Sequence, residues 1–454
     1  MAATAKESPP PTTVREPPAG VFGALRYMGP GLILSAAIVG SGELIATTTL
    51  GARAGFALLW VILLGCVVKV AVQVEYGRAA IIHGVPTLQI WNLHTPPGRL
   101  HWSVGLAAAY MLANMAGQAG VMGGAAQVGR YAFPALPLWL WLGLLALMVG
   151  GLIFSGRYEP VEGAATLMNG IFILAVFYCV MAIQSTDLAF SWGDLGSGLA
   201  FHLPETHRGL AIAAFGITGV AAGEVTLYPY WCLEKGYARW AGPREDTGEW
   251  RARARGWMRV MTVDAVVSMV IYTLATCGFF ILGATVLRAQ PELKDGSEFI
   301  LQLSSMFTEV LGTPARVVFM VCAFTVLFST LFANAAGFSR VWADLFGLRG
   351  WIDWTDERQR ARSVAGVAWL FPVVCGVFYL FVRRPLVLVV FMGFCNTAYL
   401  VVVAWQTLRL RYRLTPASLR PSRLYDAALW LSLLAIAGMT ALAVKSLVKD
   451  LQGG

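Results

Sequence analysis

The chain has 454 residues, of which 57% are hydrophobic and 13% are charged. Soluble domains average about 25% charged residues, so this composition excludes an ordinary soluble domain and indicates a polytopic membrane protein. The net charge of +9 does not indicate a nucleic-acid partner, because the basic residues lie in short loops between apolar stretches, where they orient a membrane protein.

Residues 1–20 are rich in Pro, Thr and Ala and lack the regions of a signal peptide, so we predict a disordered N-terminal tail. Residues 21–450 form the membrane domain. A span needs about 20 apolar residues, and this domain holds eleven candidate spans with short connections between them. They are 29–51, 56–82, 102–128, 134–155, 160–184, 208–235, 258–287, 314–340, 362–381, 385–409 and 426–447.

The basic residues predict how the spans are oriented. The loops that follow the sixth, eighth and tenth spans carry most of the loop arginines, whereas the odd-numbered loops hold fewer. Positive charge stays on the cytoplasmic side of a membrane. We therefore expect an integral protein of the cell membrane with its N-terminus in the cytoplasm and its C-terminus outside.

The sequence of the first span, 29–51, predicts an interrupted helix at its centre. Gly40 and Gly42 each destabilise a helix interior by about 1 kcal/mol relative to alanine, and Glu43 follows them directly. A carboxylate at the centre of a span costs about 2.5–3.5 kcal/mol on insertion scales. Irregular backbone at membrane depth is tolerated only where it is buried in protein or lines a cavity. We therefore expect unwound backbone here and a candidate cation site.

The sixth span repeats this pattern, since Gly223 is followed by Glu224 at its centre. Each Gly-Glu pair falls in the first span of a five-span half, about 29–184 and 208–409, and five is an odd number, so the second half is inverted. Interrupted spans at corresponding positions of inverted halves indicate a transporter's midplane site. The alternative is packing glycines beside chance carboxylates. The candidate binding residues are Glu43, Glu224, Gly40, Gly42, Gly223 and Val220.

Several stretches resemble the Nramp family of divalent-metal transporters. Residues 29–60, which end in Gly-Phe-Ala-Leu-Leu-Trp, resemble its first helix and the following loop, and residues 214–219 resemble the start of its sixth helix. The stretch from Asp264 resembles its seventh helix, and residues 329–337 resemble its eighth. The resemblance implies an all-α fold of the LeuT type, with two inverted five-helix repeats, discontinuous helices 1 and 6, and an added eleventh helix.

The metal-binding motifs of that family are changed here. Its Asp-Pro-Gly-Asn motif corresponds to Gly-Ser-Gly-Glu at residues 40–43, and its Met-Pro-His motif corresponds to Gly-Glu-Val at residues 223–225. The resemblance then implies a metal site built from Glu43, Glu224 and backbone carbonyls. Oxygen ligands suit Mg²⁺ and Mn²⁺, whereas a thioether favours softer ions. We expect transport of such a hard divalent cation rather than Fe²⁺ by alternating access, with the glycines leaving room for a partly hydrated ion.

Other polar residues inside the spans are candidates for gating or charge pairing. Lys69 lies deep in the second span, where an unpaired charge is costly, so we expect it to pair with Glu43 or Glu224, and it could itself occupy the cation site. The alternative is that Lys69 packs against a helix end or reaches water, with no role in transport. Glu75 can pair with Arg78, three residues further on. The remaining candidates are the amides Gln118, Asn334 and Asn396.

Functions of other classes also remain open. Where the third helix of the Nramp family carries acidic residues, this chain has Asn114 and Gln118, which argues against the family's proton coupling. The main alternative is a LeuT-type transporter of a small organic or amine solute, for which the glycines make space and the glutamates bind an ammonium. A membrane sensor or structural protein would lack an output domain. We expect no enzyme and no cofactor, because the chain has no nucleophile–base pair and no His-rich metal motif.

Overall fold

The computed structural model describes residues 14–155, 158–245, 247–290, 293–294 and 296–453. The described residues form helices and connecting loops, with no strand among them. Residues 1–13, which are most of the predicted N-terminal tail, lie outside the described residues.

Every predicted span corresponds to a helix or to a chain of helical segments, and we number the spans first to eleventh. The first span consists of Pro30–Ile38, Val39–Thr47 and Thr48–Ala54, and the sixth consists of Arg208–Ile217 and Ala222–Lys235. The other spans, in chain order, are Leu59–His83, Trp102–Ala132, Leu138–Ser155, Tyr158–Ala182, Gly248–Leu282, Ala315–Leu348, Glu357–Val382, Pro385–Arg409 and Arg423–Gly453.

Short helical segments lie in the connections. The α-helical ones are Gly20–Leu25, Thr87–Asn92, Trp192–Ser197, Tyr237–Ala241, Phe299–Leu303 and Ser305–Leu311. The 3₁₀ turns are Gly55–Leu58, Ile183–Ser185, Glu205–His207, Gly296–Glu298 and Ala417–Leu419. Two π-type segments, Gly283–Leu287 and Leu410–Leu414, continue the seventh and tenth spans.

Eight helical stretches of the described chain are long enough and apolar enough to cross a bilayer. The first of them, Pro30–His83, contains both the first and the second span. Leu138–Phe154, in the fourth span, is a shorter apolar helix. Trp102–Ala132, the third span, has 31 residues and is long enough, but its glycines and amides make it less apolar than the eight.

The two interrupted spans lie at the centre of the bundle. The first and sixth spans contact each other, and the second, seventh, eighth and tenth spans pack around them. The eleventh helix, Arg423–Gly453, packs outside this group against the second and tenth spans. The packing places both Gly-Glu pairs inside the protein, where irregular backbone can be protected from lipid.

Residues 14–19 are docked on the bundle, so the prediction of a disordered tail is wrong for this part. The Arg15 N–H donates to the Trp240 carbonyl at 3.0 Å, and the Arg15 carbonyl accepts from Trp257 Nε1 at 2.9 Å. The Arg15 guanidinium lies 5.3 Å from the centre of the Trp240 ring, within the range of a cation–π contact. These contacts attach the chain to the region between the sixth and seventh spans.

Candidate functional site

The first span stays helical through its glycines. Its α-helix changes to wide π-type turns over Val39–Thr47 and then resumes. Threonine hydroxyls bond the carbonyls of these turns, for Thr48 Oγ1 donates to the Leu44 carbonyl at 2.5 Å and Thr49 Oγ1 to the Ile45 carbonyl at 2.6 Å. The α-helix is interrupted as predicted, but the expectation of unwound backbone is wrong in this span, because hydroxyls and wide turns bond its carbonyls internally.

The sixth span is open at its centre. The helix Arg208–Ile217 ends before the four residues 218–221, and Ala222–Lys235 begins after them. Gly219 has a φ of +61°, in the left-handed region that favours glycine. A Cβ on Gly219 would lie 2.7 Å from Cys66 Cα. The break is therefore a defined turn that lies directly against the second span.

The glycines of the predicted site bring helices into contact. A Cβ on Gly40 would lie 1.9 Å from Thr330 Oγ1 in the eighth span, and one on Gly223 would lie 2.4 Å from Tyr110 Oη in the third. A Cβ on Gly42 would lie 3.1 Å from the carbonyl oxygen that ends the helix before the sixth-span break. The expectation that glycines leave room for a hydrated ion is wrong at Gly40 and Gly223, because neighbouring side chains fill that space.

Glu43 and Glu224 each keep one buried oxygen without a hydrogen-bond partner among the described residues. Glu43 is fully buried, and its Oε1 accepts from Thr276 Oγ1 of the seventh span at 3.0 Å. Glu224 is half-buried and lies in the first turn of Ala222–Lys235, where the helix dipole stabilises a carboxylate. Val220, inside the break, is fully buried. Each glutamate thus retains a free acceptor for a cation or a donor.

Lys69 binds the backbone of the sixth-span break. Its Nζ donates to the Phe215 carbonyl at 2.7 Å and to the Thr218 carbonyl at 2.5 Å. Both Glu43 and Glu224 lie within electrostatic range of Nζ, but no ion pair within 4.0 Å joins either to Lys69 in the described part of the chain. The predicted pairing with a glutamate is therefore wrong, and the alternative of packing against a helix end describes the contact.

A chain of polar side chains runs from the break into the third span. Asn396 Oδ1 accepts from Tyr110 Oη at 2.9 Å and from the Gly223 N–H at 3.4 Å. Asn114 Nδ2 donates to Tyr110 Oη at 2.8 Å, and Gln118 Nε2 contacts Asn114 Oδ1 at 3.4 Å. Asn396 therefore lies at the candidate site, and Gln118 is joined to it through two intermediate residues.

Glu75 and Asn334 are held elsewhere. Arg78 Nε donates to Glu75 Oε1 at 3.2 Å, as predicted, and Glu75 lies six residues from Lys69, or about 9 Å along the helix. Asn334 Nδ2 donates to the Thr330 carbonyl of its own helix at 3.1 Å. Both side chains are buried, and among the described residues no hydrogen bond joins either of them to Glu43 or Glu224, so the structure gives no support for placing them in the cation site.

Three residues at the site were absent from the sequence prediction. Tyr110 could have been found, because it lies one turn before Asn114 and two turns before Gln118 on one helix face. Thr276 bonds Glu43, and the buried thiol of Cys66 lies close to Thr276. No spacing or motif marks Thr276 or Cys66 in the sequence, because their proximity to Glu43 arises only when the second and seventh spans meet.

The carboxylates do not form a complete metal site on their own. Within the described ranges, no group of three or more His, Cys, Asp or Glu side chains is arranged to hold a metal ion. A divalent cation bound between Glu43 and Glu224 would need further oxygens from carbonyls or water. Mg²⁺ retains several waters and commonly takes only one or two protein carboxylates, so the pair is compatible with such an ion.

Solved structures match the fold over nearly the whole chain. A crystal structure of a manganese transporter variant from Eremococcus coleocola superposes with a TM-score of 0.68 at 14% identity, covering 97% of this chain and 91% of that one. MhsT in complex with L-phenylalanine matches with a TM-score of 0.57 at 12% identity, covering 94% and 100%. These likenesses confirm the predicted LeuT-type fold.

Sequence comparisons identify the family. A divalent metal cation transporter MntH from Burkholderia ambifaria is 25% identical over 313 residues, which are 67% of this chain and 65% of that protein. The match thus spans slightly less than two thirds of the relative's own length. The family model described as natural resistance-associated macrophage protein-like (Nramp) matches residues 31–449. This chain therefore belongs to the Nramp family.

Proposed function

We propose that this chain moves a divalent metal cation across the membrane by alternating access, and that it prefers a hard ion such as Mg²⁺ or Mn²⁺ over Fe²⁺. One observation supports this most directly. Glu43 and Glu224, at corresponding positions of the two inverted halves, each keep a buried oxygen without a partner in the described chain. Buried polar atoms are normally bonded, so the two free acceptors indicate a missing positive ligand.

The charge and chemistry of the site support a hard divalent ion. Two ionised carboxylates balance the charge of one divalent cation. The position that resembles the family's methionine is Gly223, where Tyr110 Oη fills the nearby space, so no thioether is supplied there. Oxygen donors without a thioether favour Mg²⁺ and Mn²⁺ over softer ions. The name of the Burkholderia ambifaria relative, a divalent metal cation transporter, supports the same class of substrate.

A second candidate substrate is a small organic amine. The observation that favours it is the way the protein already binds an ammonium, with the Phe215 and Thr218 carbonyls around Lys69 Nζ. An amine substrate would bind the free oxygens of Glu43 and Glu224 by charge-assisted hydrogen bonds. It would stabilise the purified protein in the absence of any metal ion.

Uptake into proteoliposomes tests the proposal. We expect the wild-type protein to take up Mn²⁺ or Mg²⁺, and Glu43→Gln and Glu224→Gln each to abolish uptake, because each removes one of two charges that hold the ion. Glu309→Gln, at an exposed position of the connecting helix Ser305–Leu311, is the matched control and should transport normally. Full uptake by both site variants would reject the metal site, and thermal stabilisation by amines but by no metal ion would favour the second candidate.

A selectivity series tests the preference for a hard ion. We expect Mg²⁺ and Mn²⁺ to compete for uptake more strongly than Fe²⁺ under reducing conditions. Cys66→Ser removes a buried thiol close to Thr276 and should leave this order unchanged. If Fe²⁺ were the better substrate and Cys66→Ser abolished its advantage, the thiol and not the carboxylate pair would determine selectivity.

A further inference from the structure

The ammonium of Lys69 occupies a cation position at the sixth-span break. The side chain of Lys69 is fully buried, its Nζ is bonded by two backbone carbonyls, and it lies 5.1 Å from the centre of the Phe215 ring. We propose that Lys69 is a tethered cation that takes the place of a mobile ion at this helix end and lowers the affinity of the site for a divalent ion. The claim about divalent affinity rests on the proposed function.

The end of the helix Arg208–Ile217 supplies the acceptors. The last four carbonyls of a helix have no amide partner within the helix, and they carry the negative end of its dipole. Phe215 and Thr218 belong to this end, and their carbonyl oxygens lie 2.7 Å and 2.5 Å from Lys69 Nζ. An ammonium has three donors and no acceptor, so it satisfies these carbonyls as a small bound cation would.

The second span is shaped to deliver this cation. Gly65 lies one turn before Lys69 on the same helix face, and a Cβ on Gly65 would lie 2.4 Å from Thr218 Oγ1. A Cβ on Gly219 would likewise lie 2.7 Å from Cys66 Cα. Both glycines are therefore needed for the span to lie directly on the break. This close approach brings Lys69 Nζ onto the carbonyls without a bridging water.

The resident ammonium changes the charge of the candidate metal site. With Glu43 and Glu224 ionised and Lys69 protonated, the three side chains carry a net charge of minus one. A divalent ion would bring the total to plus one, whereas it would bring the total to zero if Lys69 were neutral. Charges inside a protein are weakly screened, and Lys69 lies within electrostatic range of both glutamates. Lys69 should therefore weaken divalent binding, and the stability of the sixth-span break should not depend on any bound ion.

Chemical rescue tests the tethered cation. Lys69→Ala opens both the space and the carbonyls, so we expect a lower melting temperature that n-butylammonium chloride restores by at least half, relative to choline chloride. Lys69→Met fills the space without a charge and should not be rescued by the amine. The wild-type protein should melt at the same temperature in NaCl and in choline chloride. The proposal would be overturned if NaCl stabilised the wild type more than choline chloride, or if the amine failed to rescue Lys69→Ala. If neither variant folds, the comparison of the wild type in NaCl and choline chloride remains as the test.

Metal binding tests the effect on the site. By calorimetry, Lys69→Met should bind Mn²⁺ with a Kd at least about tenfold lower than the wild type, a difference of about 1.4 kcal/mol. Lys69→Arg keeps the charge and should stay close to the wild type. An unchanged Kd in Lys69→Met would refute the electrostatic part. Absence of Mn²⁺ binding in the wild type and in every variant would count against the proposed function, whereas amine rescue would still support the tether.

Discussion

The contact between Gly223 and Tyr110 allows a direct measurement of how tightly the sixth-span break is packed. A Cβ on Gly223 would lie 2.4 Å from Tyr110 Oη but 3.3 Å from Tyr110 Cζ. The first distance is a clash, whereas the second needs a shift of only a few tenths of an ångström. Gly223→Ala should therefore destabilise the protein by about 1–3 kcal/mol, the usual cost of overpacking, and removal of the tyrosine hydroxyl should relieve most of this cost.

A double-mutant cycle separates the clash from other effects. Tyr110→Phe alone loses the hydrogen bonds with Asn396 and Asn114, each worth about 0.5–1.5 kcal/mol net. If the clash is with the hydroxyl, the double variant should be more stable than the sum of the single changes predicts by about 1–2 kcal/mol. Independent sites add within about 0.5 kcal/mol, so this coupling is measurable.

Equilibrium unfolding or thermal melting of the purified protein provides the assay. Gly216→Ala is the matched control, because a Cβ there would lie 2.1 Å from the Gly393 carbonyl oxygen, which Tyr110→Phe leaves in place. Gly216→Ala should lower the stability of the protein by the same amount whether or not Tyr110→Phe is present. Additive effects of Gly223→Ala and Tyr110→Phe would refute the assignment of the clash, and with it the geometry of the break.

Three further predictions concern other contacts of the first span and one loop. Asp264 accepts the N–H groups of Gly29 at 3.1 Å and Gly31 at 2.6 Å, so Asp264→Ala, which removes both acceptors, should lower stability by about 0.5–2 kcal/mol, the cost of a lost helix cap, as a lower melting temperature would report. Thr276→Val removes the hydroxyl that bonds Glu43 and should raise the KM for Mn²⁺ uptake severalfold while kcat changes less; an unchanged KM would contradict a positioning role. Hydrogen bonds from the Gln359 side chain and from two backbone N–H groups lower the pKa of the Asp356 carboxyl. Its contribution to stability is therefore present above its unfolded pKa and is lost as pH falls through its folded pKa. The melting temperature of Asp356→Ala should therefore fall less steeply at acid pH than that of the wild type.

The sequence predicted the fold and the two interrupted spans, because these depend on patterns within single helices. Composition, span length and the repeated Gly-Glu pair are all features of single stretches of sequence. The structure contains the helices and the two interruptions that they predict. The form that each interruption takes could not be predicted from its Gly-Glu pair alone. The first span keeps its turns since the hydroxyls of Thr48 and Thr49 bond its carbonyls, whereas the sixth opens where Gly219 takes a left-handed φ.

The contacts of the candidate site were harder to predict for a physical reason. A glycine in a span is equally compatible with empty space and with a neighbour in contact, and the choice depends on which side chain lies opposite. Gly40 faces Thr330 and Gly223 faces Tyr110, both from distant parts of the chain. Lys69 was predicted to need a partner, but its nearest oxygens are backbone carbonyls, which no residue type in the sequence marks.

The two interruptions differ in how they can bend. Val39–Thr47 keeps continuous turns, whereas residues 218–221 keep helical hydrogen bonds only at their two ends, from the Thr218 N–H to the Ala214 carbonyl and from the Val225 N–H to the Ala221 carbonyl. Rotation about a few backbone bonds is the usual way that domains close around a ligand. A change of conformation should therefore bend the sixth span at residues 218–221, whereas the first span should tilt as one rigid helix. The hinge would then lie in only one of the two inverted halves.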